Sequence, residues 1–484
     1  MLRESMPEQT TTSALKRELG VFDLVLFYAA SGLSLRWIAT AAAAGPSTII
    51  IWIFACVCFF VPLAACVLEL SSRYPQEGGL YVWTRRAFGD FSGFIAAWTY
   101  WMSNLPYFPA VLYFGAGSAL FAMGKRGEHL TNNATYYMLF ALGWLGLITL
   151  LNIFGLKQAK WLNNYCTLGT WIPIAILLGL AAMFGSRYGS ATSFSAGNLL
   201  PHADLKNAIF WSTIFFAFGG VETGSFMGDE IKDARRTIPR ALMIAGVLIV
   251  ICYIAGTIAM LIALPNTAIS GVSGFVSAIS LMCTKLSLGW LIAPIALLVV
   301  FNSVGSAGAY LASTSRLPFV AGIDRYLPPV FGRVHPRWRT PWIAIGAYGI
   351  VGMLCALLSQ AGTTVRSAYD VLVSMSIITY FIPFAFLFAS MIRLQREPAP
   401  AGTIRIPGGK PVAVVLASLG LLTTLLTIVL SVIPPDEEPN KPLAVAKVIG
   451  STLFLVGAGI AVYYASAVRL RRAGLLAADR TKRL

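Results

Sequence analysis

Two stretches decide the reading of this chain: residues 27–47, FYAASGLSLRWIATAAAAGPS, and residues 215–230, FFAFGGVETGSFMGDE. Each lies in an apolar run, and each gathers small residues around one ionisable side chain. Ser31, Gly32 and Ser34 precede Arg36 in the first; Gly219, Gly220 and Gly224 surround Glu222 in the second. Inside hydrocarbon every backbone amide must be bonded internally, so non-helical backbone survives there only where it lines a cavity or packs within protein. Small residues alone often serve nothing but close helix packing. A charge at that depth costs at least ~2.5–3.5 kcal/mol on insertion scales and is usually kept for a purpose. Both stretches are therefore candidate unwound segments in membrane helices.

The rest of the chain agrees with a membrane setting. Hydrophobic residues make up 57% of the 484 and charged residues only 12%, against about 25% charged in an average soluble domain. A helix rises about 1.5 Å per residue, so crossing a ~30 Å core takes about 20 apolar residues. Runs of that size fall near 21–45, 48–70, 91–121, 135–156, 162–185, 207–228, 239–263, 289–317, 341–359, 370–392, 412–433 and 443–467. A further window at 268–284 is apolar but short and rich in Ser and Gly, which suggests a surface or re-entrant helix. No sustained two-residue alternation points to an outer-membrane barrel. The expected fold is an all-α polytopic membrane protein.

The net charge of +16 is distributed by topology. The N-terminal segment, residues 71–90, 157–160, 229–240, 316–339 and 393–410, and the C-terminal tail hold 27 of the 36 Lys and Arg. That bias places both termini in the cytoplasm of a plasma-membrane protein and removes the need for a nucleic-acid partner. Residues 1–20 read as a cytoplasmic segment, 21–467 as the membrane domain and 468–484 as a basic tail suited to anionic lipid. The seven cysteines fall in or beside apolar runs with no CxxC pair, and read as buried hydrophobes rather than metal or disulfide ligands. No HExxH, GxSxG or Walker A pattern is present, so neither an enzyme nor an ATP-driven pump is expected, and no cofactor or metal is implied.

The two broken segments occupy matching places, each opening a set of five runs: 21–185 and 207–392, with 412–467 left over. Matching interruptions are the mark of an inverted repeat with a midplane site, as in secondary transporters. A broken helix exposes N–H groups at one half-helix start and C=O groups at the other half-helix end, each carrying roughly half a unit of charge. Such a pair suits a zwitterion. The N–H groups of Ser31 to Leu33 are the expected carboxylate end, and the carbonyls from Phe216 through Phe218 to Gly219, beside Gly220, the ammonium end.

Further along, GDEIKDARRTIPRA at 228–241 resembles the E-x-x-K-[ND]-x-x-R-T-I-P-R-A motif of the amino acid–polyamine–organocation superfamily. ELSSRYPQEGGLYVWTRRAFG at 69–89 and AGIDRYLPPVFGRVHPRWRTPW at 321–342 are similar to two other cytoplasmic loops of that family. The resemblance covers nearly the whole chain. It implies a ten-helix inverted-repeat core with two added helices, and alternating access around a site between helices one, three, six, eight and ten. It implies roles for single residues as well: Ser31 and Gly32 at the substrate carboxylate, Phe216 as an aromatic lid beside Phe218, Asn104 as a polar contact and Tyr310 as a site aromatic. Tyr310 is equally readable as an ordinary packing residue. The implied substrate is an amino acid, with a polyamine or other organic cation as the alternative, or a non-transporting receptor on the same fold; protons are a possible second substrate, and the protein a monomer or homodimer.

Two departures from the family pattern matter. Where many relatives carry a lysine in helix five, LNNYCTLGTW places Thr170, so that charge cannot gate or replace a sodium ion here. Arg36 stands where the family usually has an aliphatic or aromatic residue. With helix one running outward and helix six inward, Arg36 lies ~6 Å outside the first break and Glu222 a little inside the second, so a direct pair would have to span roughly 10 Å. The guanidinium stays charged and offers five donors suited to a carboxylate. It is expected to face the outer vestibule, there either favouring a substrate with an extra carboxylate or simply reaching toward water. Glu222 is the expected titrating group, since desolvation raises a buried carboxyl's pKa toward neutrality; the alternative is a structural acid that accepts hydrogen bonds from unwound backbone.

Overall fold

The computed structural model describes residues 20–74, 79–154, 156–201, 205–220, 222, 234–314, 326–333, 335–338, 340–360, 364–400, 402–434 and 440–472. Outside these lie most of the N-terminal segment, the end of the basic tail, Gly224 and residues 228–233 of the 228–241 motif. Ten helices among the described residues are long and apolar enough to cross a membrane. Each falls on one of the apolar runs identified above. The two runs that supply no such helix are the first and the sixth, where the chain is interrupted: α1 (Val21–Gly32) and α2 (Leu35–Ala43) share one run, and α8 (Leu205–Ala217) stops inside the other. At 1.5 Å per residue none of these three pieces reaches much beyond ~20 Å, short of the hydrocarbon thickness.

The remaining helices are α3 (Thr48–Arg73), α4 (Gly79–Phe88), α5 (Asp90–Ala122), α6 (Ala134–Phe154) and α7 (Leu156–Tyr188) before α8. After it come α9 (Ala234–Ala263), α10 (Gly274–Lys285), α11 (Ile292–Thr314), α12 (Trp342–Gln360), α13 (Val365–Leu394), α14 (Gly409–Leu430) and α15 (Lys441–Arg472).

Two groups of helices build the core. α1, α2, α3, α8 and α9 pack on one another, while α5, α6, α11 and α12 form a second set. α7 leans on both α9 and α11, and α13 touches α3, α5 and α8. Small residues let the first group close: a Cβ built on Gly256 would stand 2.8 Å from Ile38 Cδ1, and one on Gly246 2.6 Å from the Phe60 ring. In a lipid setting such contacts are held by van der Waals packing of those side chains on the bare glycines rather than by hydrophobic burial. In α3 the turn Cys56–Phe60 widens to a π-helix, and the carbonyl of Cys58 accepts a 3.2 Å hydrogen bond from Thr423 of α14. The widened turn is thus met by a side chain from another helix.

The short apolar window lies within the bundle rather than on its surface. α10 spans only about 18 Å, yet Phe275, Val276, Ala278, Ile279, Met282 and Cys283 are fully buried. It packs across the ends of α2, α5, α7, α9 and α11.

Candidate functional site

At the first interruption α1 closes on Gly32 and α2 opens on Leu35. Ser34 is the N-cap residue, with extended backbone at φ −125° and ψ 127°, and its side chain makes no capping hydrogen bond. The first-turn amides of α2 therefore lack the usual side-chain acceptor. The gap is bridged from α9. The Tyr253 hydroxyl donates to the Gly32 carbonyl at 2.7 Å, with the Ala217 carbonyl at 3.2 Å, and accepts from the Ser34 amide at 3.1 Å. One phenol thereby serves the end of α1, the start of α2 and the end of α8. Its ring stacks on Trp52 at 4.3 Å, and the Trp52 indole N–H donates to Thr257 at 3.0 Å.

The second interruption begins as α8 ends. Phe218 and Gly219 make short turns back to Phe215 and Phe216, at 3.2 and 3.0 Å, and Gly220 takes φ +108°, a region glycine enters without penalty. The two breaks lie side by side: a Cβ on Gly32 would stand 3.9 Å from the Gly219 carbonyl oxygen. Glu222 is wholly buried and collects donors from three directions. Tyr380 of α13 donates at 2.5 Å, Tyr100 of α5 at 2.9 Å and the Gly220 amide at 3.1 Å. A Cβ on Gly219 would strike the Tyr380 ring, so the glycine is what admits that tyrosine.

The residues expected to form the site separate into distinct places. Ser31 and Gly32 are the last residues of α1, so the uncapped helix start lies further along, at Leu35, than the Ser31 to Leu33 amides; the side chain of Ser31 is outside what is described. Leu33 is buried. Asn104 is buried just past Ser103, where α5 is interrupted, and the nearby Trp101 carbonyl accepts from Tyr348. Phe216 stands edge-on to Trp37 at 5.3 Å and to Tyr380 at 5.2 Å. Phe218, two residues on, turns the other way into Trp52, Phe60 and Tyr253. The two rings share no aromatic neighbour among these contacts. Tyr310 of α11 lies 4.9 Å from Tyr107 of α5. Thr170 is buried and accepts a 2.6 Å hydrogen bond from the Asn302 amide of α11.

Arg36 differs most from its expected place. Only 1% exposed, it neither faces a vestibule nor reaches water, and it makes no ion pair with Glu222. Its guanidinium carbon sits 4.0 Å from the Trp37 ring centroid and 4.8 Å from that of Tyr107. Among the described residues none accepts a hydrogen bond from Nε, Nη1 or Nη2. Cation–π contacts are worth about 0.5–2 kcal/mol, whereas a buried ion without a partner costs several kcal/mol. The aromatic faces do not offset that cost.

Sequence reasoning missed five of these residues. Tyr107 stands one helical turn past Asn104 and Trp37 beside Arg36, so a search along those faces reaches them. Tyr100, Tyr253 and Tyr380 carry no such signal, because each meets its partner across a large gap in sequence. Among the described residues no group of three or more His, Cys, Asp or Glu could hold a metal ion.

Interrupted helices side by side, in a bundle of membrane-spanning helices, agree with what the sequence resembles, and residues 19–459 match the amino acid permease family. The chain belongs to that family. Similar proteins include an uncharacterized transporter of Legionella pneumophila, 29% identical over 88% of this permease and 92% of the relative. A probable agmatine/putrescine antiporter of Lactococcus lactis is 24% identical, over 86% and 89% of the two chains. A glutamate/gamma-aminobutyrate antiporter of the same species is 23% identical, over 78% and 76%. The permease is a multi-pass membrane protein of a transport family, and the relatives named are transporters rather than enzymes.

Proposed function

We propose that this permease carries an α-amino acid across the plasma membrane by alternating access, with both termini in the cytoplasm. The observation that carries the reading is the adjacency of the two breaks. The uncapped start of α2 offers partial positive charge to the substrate carboxylate, and the end of α8 offers carbonyls to its ammonium. In this reading Phe216 closes over the substrate, with Asn104, Tyr107 and Tyr310 facing it from the second helix group. The ordering of the chain into a repeat over 21–185, a second over 207–392 and two added helices belongs to the same proposal. A polyamine fits less well, because a second cation would meet the buried charge of Arg36.

Glu222 supplies the coupling. Its carboxylate ties α8 to α5 and α13 through two phenols on one oxygen, so a proton arriving there removes the negative charge they bind and weakens those ties. Purified permease in liposomes tests the whole reading. Saturable uptake of a labelled amino acid, accelerated by the same amino acid inside, is the expected result. Flux linear in concentration would indicate a channel, and binding without flux a receptor.

A further inference from the structure

The unmet donors of Arg36 point to the class of substrate. Its side chain leaves α2 one residue past the uncapped helix start, and its guanidinium carbon lies over the rings of Trp37 and Tyr107. Trp37 in turn meets Phe216, and Tyr107 meets Tyr310, so the guanidinium sits among the aromatics that surround the adjacent breaks. Aromatic faces hold a cation but accept none of its N–H groups in the plane of the fork. That edge calls for a planar, negatively charged acceptor, and a carboxylate meets a guanidinium through two parallel hydrogen bonds. Arg73 pairs with Glu69, Arg85 with Asp90 and Arg86 with Glu397, each away from this guanidinium.

We propose that Arg36 is a specificity-determining residue that receives the side-chain carboxylate of an acidic amino acid while the α-carboxylate rests on the start of α2. This deepens the reading of the adjacent breaks as an amino acid site and rests on it. A neutral amino acid leaves the guanidinium fork empty, so it binds more weakly than an acidic one of the same length. Glutamate and glutamine differ only in that acceptor. γ-Aminobutyrate, which keeps the amine and the distal carboxylate, separates the two carboxylate positions.

Thermal stabilisation of the purified full-length permease by glutamate, glutamine and γ-aminobutyrate tests this, in wild type, Arg36→Met and Arg36→Lys. In Arg36→Met the glutamate affinity is expected to fall about 30-fold or more, the scale for truncating one partner of a buried charged pair. Glutamine is expected to change far less, and ligand-free Arg36→Met to melt no lower than wild type, since a buried unpaired charge has been replaced by an apolar chain. Should Met disturb folding, Arg36→Lys, which keeps the charge, is expected to retain part of the glutamate preference. Equal losses for glutamate and glutamine would assign Arg36 to the α-carboxylate and overturn the proposal. So would unchanged glutamate affinity, or a ligand-free melting temperature that drops in both variants. If glutamine stabilises wild type and glutamate does not, the amino acid site stands and the Arg36 assignment falls; if no amino acid binds, both fall.

Discussion

The phenol of Tyr380 donates a 2.5 Å hydrogen bond to Glu222, fastening α13 to the interrupted end of α8. Both residues are buried. Whatever changes the charge on that carboxylate therefore acts directly on how two helices from different parts of the bundle are joined.

Replacing Glu222 by Gln fixes the group in a neutral form that still accepts hydrogen bonds. Transport by Glu222→Gln is expected to lose its dependence on external pH while still saturating with substrate. A pH profile of uptake identical in shape to wild type would assign Glu222 a purely structural role.

Tyr380→Phe removes one donor and leaves the ring in place. Losing a hydrogen bond to a charged group costs about 1.5–3 kcal/mol, so both melting temperature and transport rate should fall. Gly219→Ala should act on the same contact from the other side, because its methyl group meets the Tyr380 ring. The two changes together are expected to cost less than the sum of their separate effects in a double-mutant cycle.

Tyr253→Phe strips the hydroxyl from the bridge between Gly32, Ser34 and Ala217. Buried backbone groups left unpaired cost about 1–3 kcal/mol each. A loss of thermal stability without ligand is expected, together with weaker substrate stabilisation. Deuterium exchange at the amides of residues 33–36 should rise, and unaltered exchange there would mean that the phenol does not hold the break.

On the cytoplasmic side of the proposed topology, Glu397 accepts from Arg86 Nε and from the Tyr74 hydroxyl, each at 2.9 Å. Partial burial pushes its carboxyl up, but the hydrogen bonds and charge of Arg86, with Tyr74, outweigh this and leave it below the ordinary value. A lowered folded pKa stabilises above the unfolded value of about 4.3 and ceases to as pH falls through the folded one. The melting difference between wild type and Arg86→Gln should thus be full near pH 7, shrink as pH falls past the unfolded value and vanish below the lowered folded one. Both side chains are more than a third exposed, so the effect is small, about 0.2–1 kcal/mol.

The sequence located the interrupted helices because glycine and serine clusters beside a charge have few meanings inside a membrane. The other ten spans were legible from apolar run length alone. Direction was not: Arg36 lies on a helix of nine residues, too short for its polar face to be read, and it turned inward against two rings. Phe216 and Phe218 differ by two positions where a helix is ending, so no periodicity assigns them to opposite sides. The clasp on Glu222 was hidden for another reason. Tyr100 and Tyr380 lie 122 and 158 residues from their partner, and a lone tyrosine in an apolar span looks the same whether it packs or binds.

The reach of Tyr253 to both broken helices has a mechanical meaning. Because one hydroxyl bonds to the end of α1, the start of α2 and the end of α8, the two poles of the proposed site are coupled through Tyr253. If access alternates as proposed, the movement falls where that unit meets its neighbours, and the ring of Tyr107, over which the Arg36 guanidinium lies, is part of that seam.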